Sequence, residues 1–174
     1  ESIFKHELKN QYIITSVVYR LHKKPVYKIS YGAIEKELEH MGVKELSIRA
    51  ISDAVCSIRR SKLPDPAVIG NAGSFFKNPE VVKSKYEFLK LKYPEMVAYP
   101  LENGNVKLAA GWLIERCGWK GERTGDAGVH ALQALVLVNY GNASGNEIYK
   151  LSQQVMDSVA NAFGVTLERE VNII

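Results

Sequence analysis

In the first third of the chain, the spacing of apolar residues predicts a β-hairpin followed by two helices. Residues 12–21 are rich in β-branched and aromatic side chains, and after a polar break residues 26–29 form a second extended run, a pattern typical of a hairpin. Helices are predicted over 34–38, ahead of Gly42, and over 47–61, where apolar residues recur three and four positions apart.

Beyond a stop at Pro64, helical and extended patterns alternate without a regular repeat. Helices are predicted over 81–92, over 108–117 and from Ser144 to Gly164, and extended segments over 67–79, 131–138 and 165–174. Asn103-Gly104 lies between extended flanks and is a strong hairpin signal, and Ser144 with Glu147 forms a capping box. The pattern predicts an α+β fold in two domains, residues 1–63 and residues 64–174.

Composition and charge narrow the class of protein. Hydrophobic residues make up 46% and charged residues 24% of the 174 residues, which is ordinary for a globular domain. The longest apolar run is shorter than a membrane span and no signal-peptide pattern is seen, so we expect a cytoplasmic protein with no membrane partner. Cys56 and Cys117 have no metal-ligand or CxxC spacing, which predicts two reduced, packed thiols.

The net charge of +4 arises entirely in the first part of the chain. Residues 1–65 hold 12 Lys/Arg against 8 Asp/Glu, and residues 66–174 hold 11 against 11. This surplus is small and is not clustered into a basic face, so nucleic acid is not the predicted partner, and a small anionic ligand suits it better. Dinucleotide-binding, phosphate-loop, zinc-protease and serine-hydrolase motifs are absent from the sequence, and the four histidines are too scattered to predict a metal site.

Residues 70–79, with the sequence GNAGSFFKNP, are the first candidate site. Two glycines permit a close backbone approach by another group, and in an extended segment Ser74 and Asn78 lie on one face together with Phe76. A serine and an asparagine on one wall of a cleft could donate hydrogen bonds or a proton to a polar substrate. A bulged strand that only packs its two phenylalanines explains the same residues equally well.

Two further segments carry charge in unusual settings. Glu168 and Glu170 share one face of a predicted strand, which suits acid chemistry but is also typical of the solvated face of an edge strand. Lys120 lies between two glycines after a helix, where it could contact an anionic ligand or belong to an ordinary loop.

Taken in order, four segments resemble the UDP-N-acetylenolpyruvoylglucosamine reductase family. The segments are residues 65–79, 108–114, 133–137 and 167–171. The resemblance spans essentially the whole chain, and the run GNAGSFFKNP is its most specific part. Ser30-Tyr31-Gly32 further resembles the branch of the family that carries a substrate-covering tyrosine. The family makes UDP-N-acetylmuramate for bacterial peptidoglycan with bound FAD and with NADPH, and its hydride passes from NADPH through the flavin to the enolpyruvyl double bond.

The resemblance implies roles for individual residues. The spacing of these residues alone does not assign those roles. Ser74 matches the family's proton donor, Glu170 matches the glutamate that stabilises or protonates the intermediate, and Glu168 has no assigned role. The remaining matches are substrate contacts: Tyr31, Lys62, Asn78, Tyr99, Lys107, Lys120 and Gln133. Lysines and tyrosines are suited to hold the phosphates and hydroxyls of a uridine diphosphate sugar.

The resemblance also implies that this chain corresponds to the C-terminal half of the reductase. Residues 1–63 would then be the remnant of an FAD-binding α+β domain, and residues 64–174 a substrate-binding α+β domain with a small antiparallel sheet and flanking helices. The main flavin-holding segments, and an arginine that contacts the intermediate, would precede Glu1. We therefore expect no tight FAD binding and no reductase activity from the isolated chain, with the missing N-terminal half as its partner.

For the isolated chain we expect one physical consequence and consider two alternative functions. A predicted hairpin without its sheet neighbours exposes an apolar face, and self-association is one way to cover it. The chain could also act as a stand-alone nucleotide-sugar binding module through Lys62, Asn78 and Lys120, without catalysis. A nucleic-acid module that uses GNAG as a GxxG loop is the weakest interpretation, because residues 66–174 have no net charge.

Overall fold

The computed structural model describes residues 2–9, 11–30 and 32–173. The chain divides into two compact units, Glu1–Ala54 and Val55–Ile174. Within the described residues, no helix is long and apolar enough to cross a membrane, and no group of three or more metal-binding side chains occurs. The predicted domain boundary after residue 63 remains a prediction.

The first unit contains the short 3-10 helix Ile3–Lys5, helix α1 (Ile34–His40) and the start of helix α2 (Ile48–Lys62). In α1, Ile34 and Leu38 are buried. The chain leaves α1 through Gly42, whose φ of 67° lies in the left-handed region that favours glycine. Both helices predicted in this part of the sequence are confirmed.

The predicted hairpin over 12–29 is wrong. The described residues from 11 to 30 form no strand, and their apolar side chains face solvent, with Val18 95% and Ile13 91% exposed. A preference for strand conformation is realised only where the side chains pack against neighbours, and an isolated hairpin is at best marginally stable in water. The residue types here are those of a strand, but the packing that would stabilise one is missing.

The second unit contains two antiparallel sheets and three further helices, as predicted for an α+β fold. The strands are β1 (Gly70–Ser74), β2 (Glu80–Val81), β3 (Ala98–Pro100), β4 (Val106–Leu108), β5 (Arg123–Thr124), β6 (Ala127–Val129) and β7 (Val136–Asn139). The helices are α3 (Lys83–Lys92), α4 (Ala110–Arg116) and α5 (Gly145–Phe163). One sheet has the order β1-β7-β6-β5 and the other the order β2-β4-β3.

Helix α5 provides much of the core of this unit. Its apolar stripe includes Val155 and Val159, both fully buried, and Phe163, whose ring lies 5.0 Å from that of Tyr93. The predicted capping box at Ser144 is confirmed. The helix ends at Gly164 in the left-handed conformation, as the sequence pattern predicts.

The Asn103-Gly104 hairpin is also confirmed. Strands β3 and β4 pair antiparallel, and Gly104 takes a φ of 82° in the connecting turn. The side-chain amides of Asn103 and Asn105 each donate to Glu80 Oε1 at 2.8 Å, which ties the turn to β2.

Two predicted strands are shorter than the apolar pattern indicates. Only Val136–Asn139 of the run 131–138 is a strand, because the run contains a turn in which the Val136 amide donates to the Gln133 carbonyl. The described part of the closing segment, residues 165–173, contains a single bridge, between Arg169 and Phe76, although buried and exposed residues alternate along it as predicted. Among the described residues it pairs only with residues 75–77, through two backbone hydrogen bonds, which is too short a ladder to count as a strand.

Strand β1 and the two thiols differ from expectation in smaller ways. A register shift between Asn71 and Ser74 bulges β1, and Phe75 and Phe76 just after it are both buried, with ring centroids 5.3 Å apart. Both cysteines are free, as predicted. Cys117 is half-buried, and burial raises the pKa of its thiol, whereas Cys56 is exposed instead of packed.

Candidate functional site

Four of the predicted substrate contacts line one cleft of about 470 Å³ in the second unit. Lys62 comes from the last turn of α2, Asn78 from the segment after β1, Tyr99 from β3, and Gln133 from the loop between β6 and β7. These residues are distant in sequence and belong to four different segments. The rest of the wall consists of Ser61, Ala109, Gly111, Trp112, Glu115, Leu132, Ala134 and Leu135.

Asn78 has a structural function in this cleft as well as a predicted binding function. Its side-chain Oδ1 accepts a hydrogen bond of 2.9 Å from the amide of Ala110, the first residue of α4. Helix N-termini carry amides without intrahelical partners, and Ala110 is fully buried, so this bond satisfies a group that water does not reach. The Nδ2 amide group has no partner among the described residues and is available to a ligand.

The loop between β6 and β7 forms the opposite wall. Gln133 Oε1 accepts from the Leu135 amide at 3.4 Å, which folds the side chain back onto its own loop. A Cβ atom built on Gly111 would lie 3.4 Å from Leu135 Cγ and 3.5 Å from Gln133 Oε1, which is ordinary van der Waals distance, so α4 and this loop are neighbours at Gly111. His130 opens the loop, and burial lowers the pKa of its imidazole.

Lys107 and Lys120, the other predicted lysine contacts, lie next to the lining residues. Lys107 of β4 is paired with Tyr99 of β3 on one side of the strand and with Glu80 of β2 on the other. Cross-strand partners share a face, so these three side chains lie on one face of the sheet. Hydrogen bonds from Asn105 and Asn103, and then the charge of Lys107, lower the pKa of Glu80. Lys120 Nζ donates to Glu115 Oε1 at 2.8 Å, which holds this lysine at the rim.

Ser74 and Glu170, the two predicted catalytic residues, belong to adjacent segments. Ser74 is the exposed last residue of β1, and the carbonyl of the next residue, Phe75, accepts from the Glu170 amide at 2.9 Å. Glu170 is exposed. Glu168, two residues earlier, pairs with Lys77, so the carboxylate without an assigned role already has a cationic neighbour. The remaining prediction, Tyr31, lies outside the described residues.

Sequence reasoning missed several lining residues of the cleft. Gly111, Trp112 and Leu135 are among them. Each lies in a segment that carries the family resemblance, 108–114 or 133–137, but none was assigned a contact. A glycine inside an otherwise apolar helix is the one signal that could have drawn attention to Gly111.

Comparison with known proteins relates the chain to one family. Residues 65–174 match the model of the C-terminal domain of UDP-N-acetylenolpyruvoylglucosamine reductase. A protein of that name from Amoebophilus asiaticus is 55% identical over all of this chain and 51% of its own length. Its counterpart from Flavobacterium johnsoniae is 54% identical over the whole chain and 52% of its length. The chain thus spans about half the length of these curated relatives.

A solved structure from Thermus caldophilus, described as UDP-N-acetylenolpyruvylglucosamine reductase, is also similar. The match covers 71% of this chain and 34% of the Thermus chain, at 25% sequence identity. Its TM-score is 0.42, which is too low to support an argument about the fold.

Proposed function

This chain belongs to the UDP-N-acetylenolpyruvoylglucosamine reductase family and corresponds to its C-terminal part, and from that premise we propose that it supplies the substrate-binding and proton-handling part of such a reductase. The reaction would convert UDP-N-acetylenolpyruvoylglucosamine to UDP-N-acetylmuramate with NADPH, for peptidoglycan precursor synthesis. The observation that carries the proposal is the convergence of Lys62, Asn78, Tyr99 and Gln133 on one cleft.

The chemistry of the cleft suits a nucleotide sugar. Lys62 is exposed at its edge and supplies a positive charge for a diphosphate, while Tyr99 and Asn78 supply an aromatic surface and an amide donor. Lys107 and Lys120 add charge nearby, although Lys120 is partly neutralised by Glu115. All of these groups lie in the second unit, which favours binding of the substrate by this chain alone.

Ser74 and Glu170 are proposed to handle the proton. Hydride addition to the enolpyruvyl double bond leaves carbanion character beside the substrate carboxylate, and a proton must then be added at that carbon. The Ser74 hydroxyl gives up its proton, and the resulting alkoxide is reprotonated by a neighbouring acid or by water. Because a hydroxyl is a weak acid, this step requires a short hydrogen-bond path. The bond from the Glu170 amide to the Phe75 carbonyl, next to Ser74, keeps the Glu170 segment nearby.

The described residues of the first unit do not fit a flavin site. A bound flavin needs a formed, largely apolar concave surface, whereas the described residues of 11–30 have no strand or helix and expose most of their apolar side chains. We therefore propose that this chain holds no FAD by itself. Flavin absorbance that stays with the purified chain through gel filtration would contradict this.

The binding proposal is tested by titrating the 174-residue chain with UDP-N-acetylglucosamine and following the amide NMR signals. We expect shifts at the cleft, with Gly111 and Leu135 among the affected residues. Lys62→Ala should weaken binding about tenfold, because a charge-assisted contact is worth about 1.5–3 kcal/mol. Lys150→Ala, which removes an exposed lysine of α5, is the matched control and should bind normally. Unchanged binding in the Lys62 variant would refute the assignment.

The catalytic proposal requires the complete, flavin-containing enzyme. Ser74→Ala should leave flavin reduction by NADPH fast and abolish turnover of the enolpyruvyl substrate, as measured by stopped-flow absorbance. An equal loss of both steps would show that Ser74 does not act in protonation.

A further inference from the structure

We propose that Arg169 and Ser152 are positioning residues that hold Glu170 beside Ser74. The inference rests on the proposed function, since it takes Ser74 and Glu170 as the groups that handle the proton. The family resemblance assigns no role to Ser152, and none to Arg169, although Arg169 lies within the resembling segment 167–171.

Arg169 is anchored to α5 although both of its neighbours in the sequence are exposed. Its Nε donates to Ser152 Oγ at 2.7 Å, and its Nη2 donates to Gln153 Oε1 at 2.8 Å. The guanidinium also lies 4.3 Å from the centre of the Tyr149 ring. Two hydrogen bonds and a stacking contact fix both the position and the plane of the guanidinium, which a lysine could not reproduce.

Ser152 provides the acceptor at the buried end of this anchor. It has the one buried polar side chain within the described ranges 2–9, 11–30 and 32–173, and it is fully buried. Its hydroxyl donates to the Tyr149 carbonyl at 2.7 Å and accepts from Arg169, so it acts as both donor and acceptor. Alanine has a higher helix propensity at such a position. A buried serine is therefore best explained by the bond that it accepts.

Arg169 lies at the centre of the contact between the closing segment and the residues that follow Ser74. Arg169 faces Phe76 in an isolated bridge. On one side of this bridge the Glu170 backbone amide donates to the Phe75 carbonyl at 2.9 Å. On the other side the Lys77 backbone amide donates to the Glu168 carbonyl at 2.8 Å. These two backbone bonds and the exposed ion pair of Glu168 with Lys77 join the two segments at the surface, while buried Leu167 anchors the residues that precede them. The attachment of Arg169 to α5 adds a side-chain contact next to Glu170, and we infer that it limits local opening there.

Amide hydrogen exchange and NMR of the 15N-labelled chain test this proposal. In Arg169→Gln, the Glu170 and Lys77 amides should exchange about tenfold faster or more, as expected when a charge-assisted contact that closes a local opening is lost. The Ser74 amide signal should move together with that of Glu170. The Val138 amide, in the centre of the larger sheet, should keep its exchange rate. Ser152→Ala should shift the same signals in the same direction.

The controls separate positioning from general stability. Arg116→Gln removes an exposed arginine that pairs with Glu95 at 3.1 Å and should leave the Glu170 exchange rate unchanged. Arg169→Lys should restore protection only partly, because it keeps the charge and loses the paired donors. Equal acceleration at Val138 would show a merely structural role, and unchanged exchange at Glu170 would show no role; either overturns the proposal.

The same samples distinguish this inference from the proposed function. Affinity for UDP-N-acetylglucosamine should stay within about twofold of wild type in Arg169→Gln, because none of the cleft residues is touched. A wild-type chain that binds no UDP-sugar would overturn the proposed function, while its exchange pattern would still decide whether Arg169 holds the Glu170 segment.

Discussion

Substitutions at Asn78 separate its two predicted functions, because different atoms of the amide carry them. Oδ1 accepts from the buried Ala110 amide at 2.9 Å, and the Nδ2 group is left for a ligand. Asn78→Ala removes both atoms. Asn78→Asp keeps an acceptor for the helix amide and replaces the ligand donor with a negative charge.

The magnitudes follow from these contacts. Leaving the buried Ala110 amide without a partner should lower the free energy of unfolding of the second unit by about 1–3 kcal/mol in Asn78→Ala. For a unit of this size each kcal/mol corresponds to about 4 °C in Tm. Asn78→Asp should stay within about 0.5 kcal/mol of wild type, since a carboxylate at a helix N-terminus is favourable.

Tryptophan fluorescence is a suitable assay, since both tryptophans, Trp112 and Trp119, belong to the second unit. Thermal unfolding followed by this signal gives Tm, and calorimetric titration with UDP-N-acetylglucosamine gives affinity. The alanine variant should lose both stability and binding, whereas the aspartate variant should lose only binding, by about tenfold or more. An aspartate variant as unstable as the alanine variant, or one that binds normally, would refute this division of function.

Three further outcomes are expected. Gly128→Ala should lower the free energy of unfolding by about 1–3 kcal/mol in urea titrations, because the new Cβ would lie 2.8 Å from the Tyr140 ring; an unchanged urea midpoint would contradict this. Bonds from the Asn142 amide and from an arginine lower the pKa of Asp126 below its usual 3.8, so Asp126 stabilises the fold above that pH and ceases to do so as the pH falls through the lowered pKa. Asp126→Asn should thus be less stable than wild type at about pH 6, and the difference should shrink as the pH falls below 3.8; a constant difference would exclude the charge as its cause. Sedimentation velocity should show concentration-dependent self-association that Val18→Ser reduces, because that side chain is 95% exposed within an apolar stretch; a strict monomer at all concentrations would contradict it.

The sequence predicts most reliably those elements that local chemistry determines. Helix α5 has a capping box, an apolar stripe and a terminal glycine, and each is confirmed. The turn at Asn103-Gly104 is likewise determined by its own residues. The hairpin expected over 12–29 failed because strand propensity depends on packing that the pattern does not encode. The turn within 131–138 was hidden because Gln133 is the one polar residue of the run and no glycine or proline marks the turn.

The cleft could not be derived from spacing. Lys62, Asn78, Tyr99 and Gln133 come from four segments, and only the tertiary arrangement shows that they share one wall. The family resemblance indicated them individually, whereas the structure shows which lie together. Arg169 was noticed only as a member of an alternating strand, because its contacts with α5 depend on the packing of a helix that precedes it in the chain.

The local caps of α5 also bear on how the second unit folds. Ser144 and Gly164 determine both ends of the helix through bonds to neighbouring residues, so α5 can form before any distant contact exists. Pairing of β1 with β7 must instead bring Gly70 to Asn139, which is a slow, entropically costly loop closure. The bridge between Arg169 and Phe76 likewise joins residues far apart in the sequence, so we expect the two candidate catalytic segments to meet late in folding, after α5 has formed.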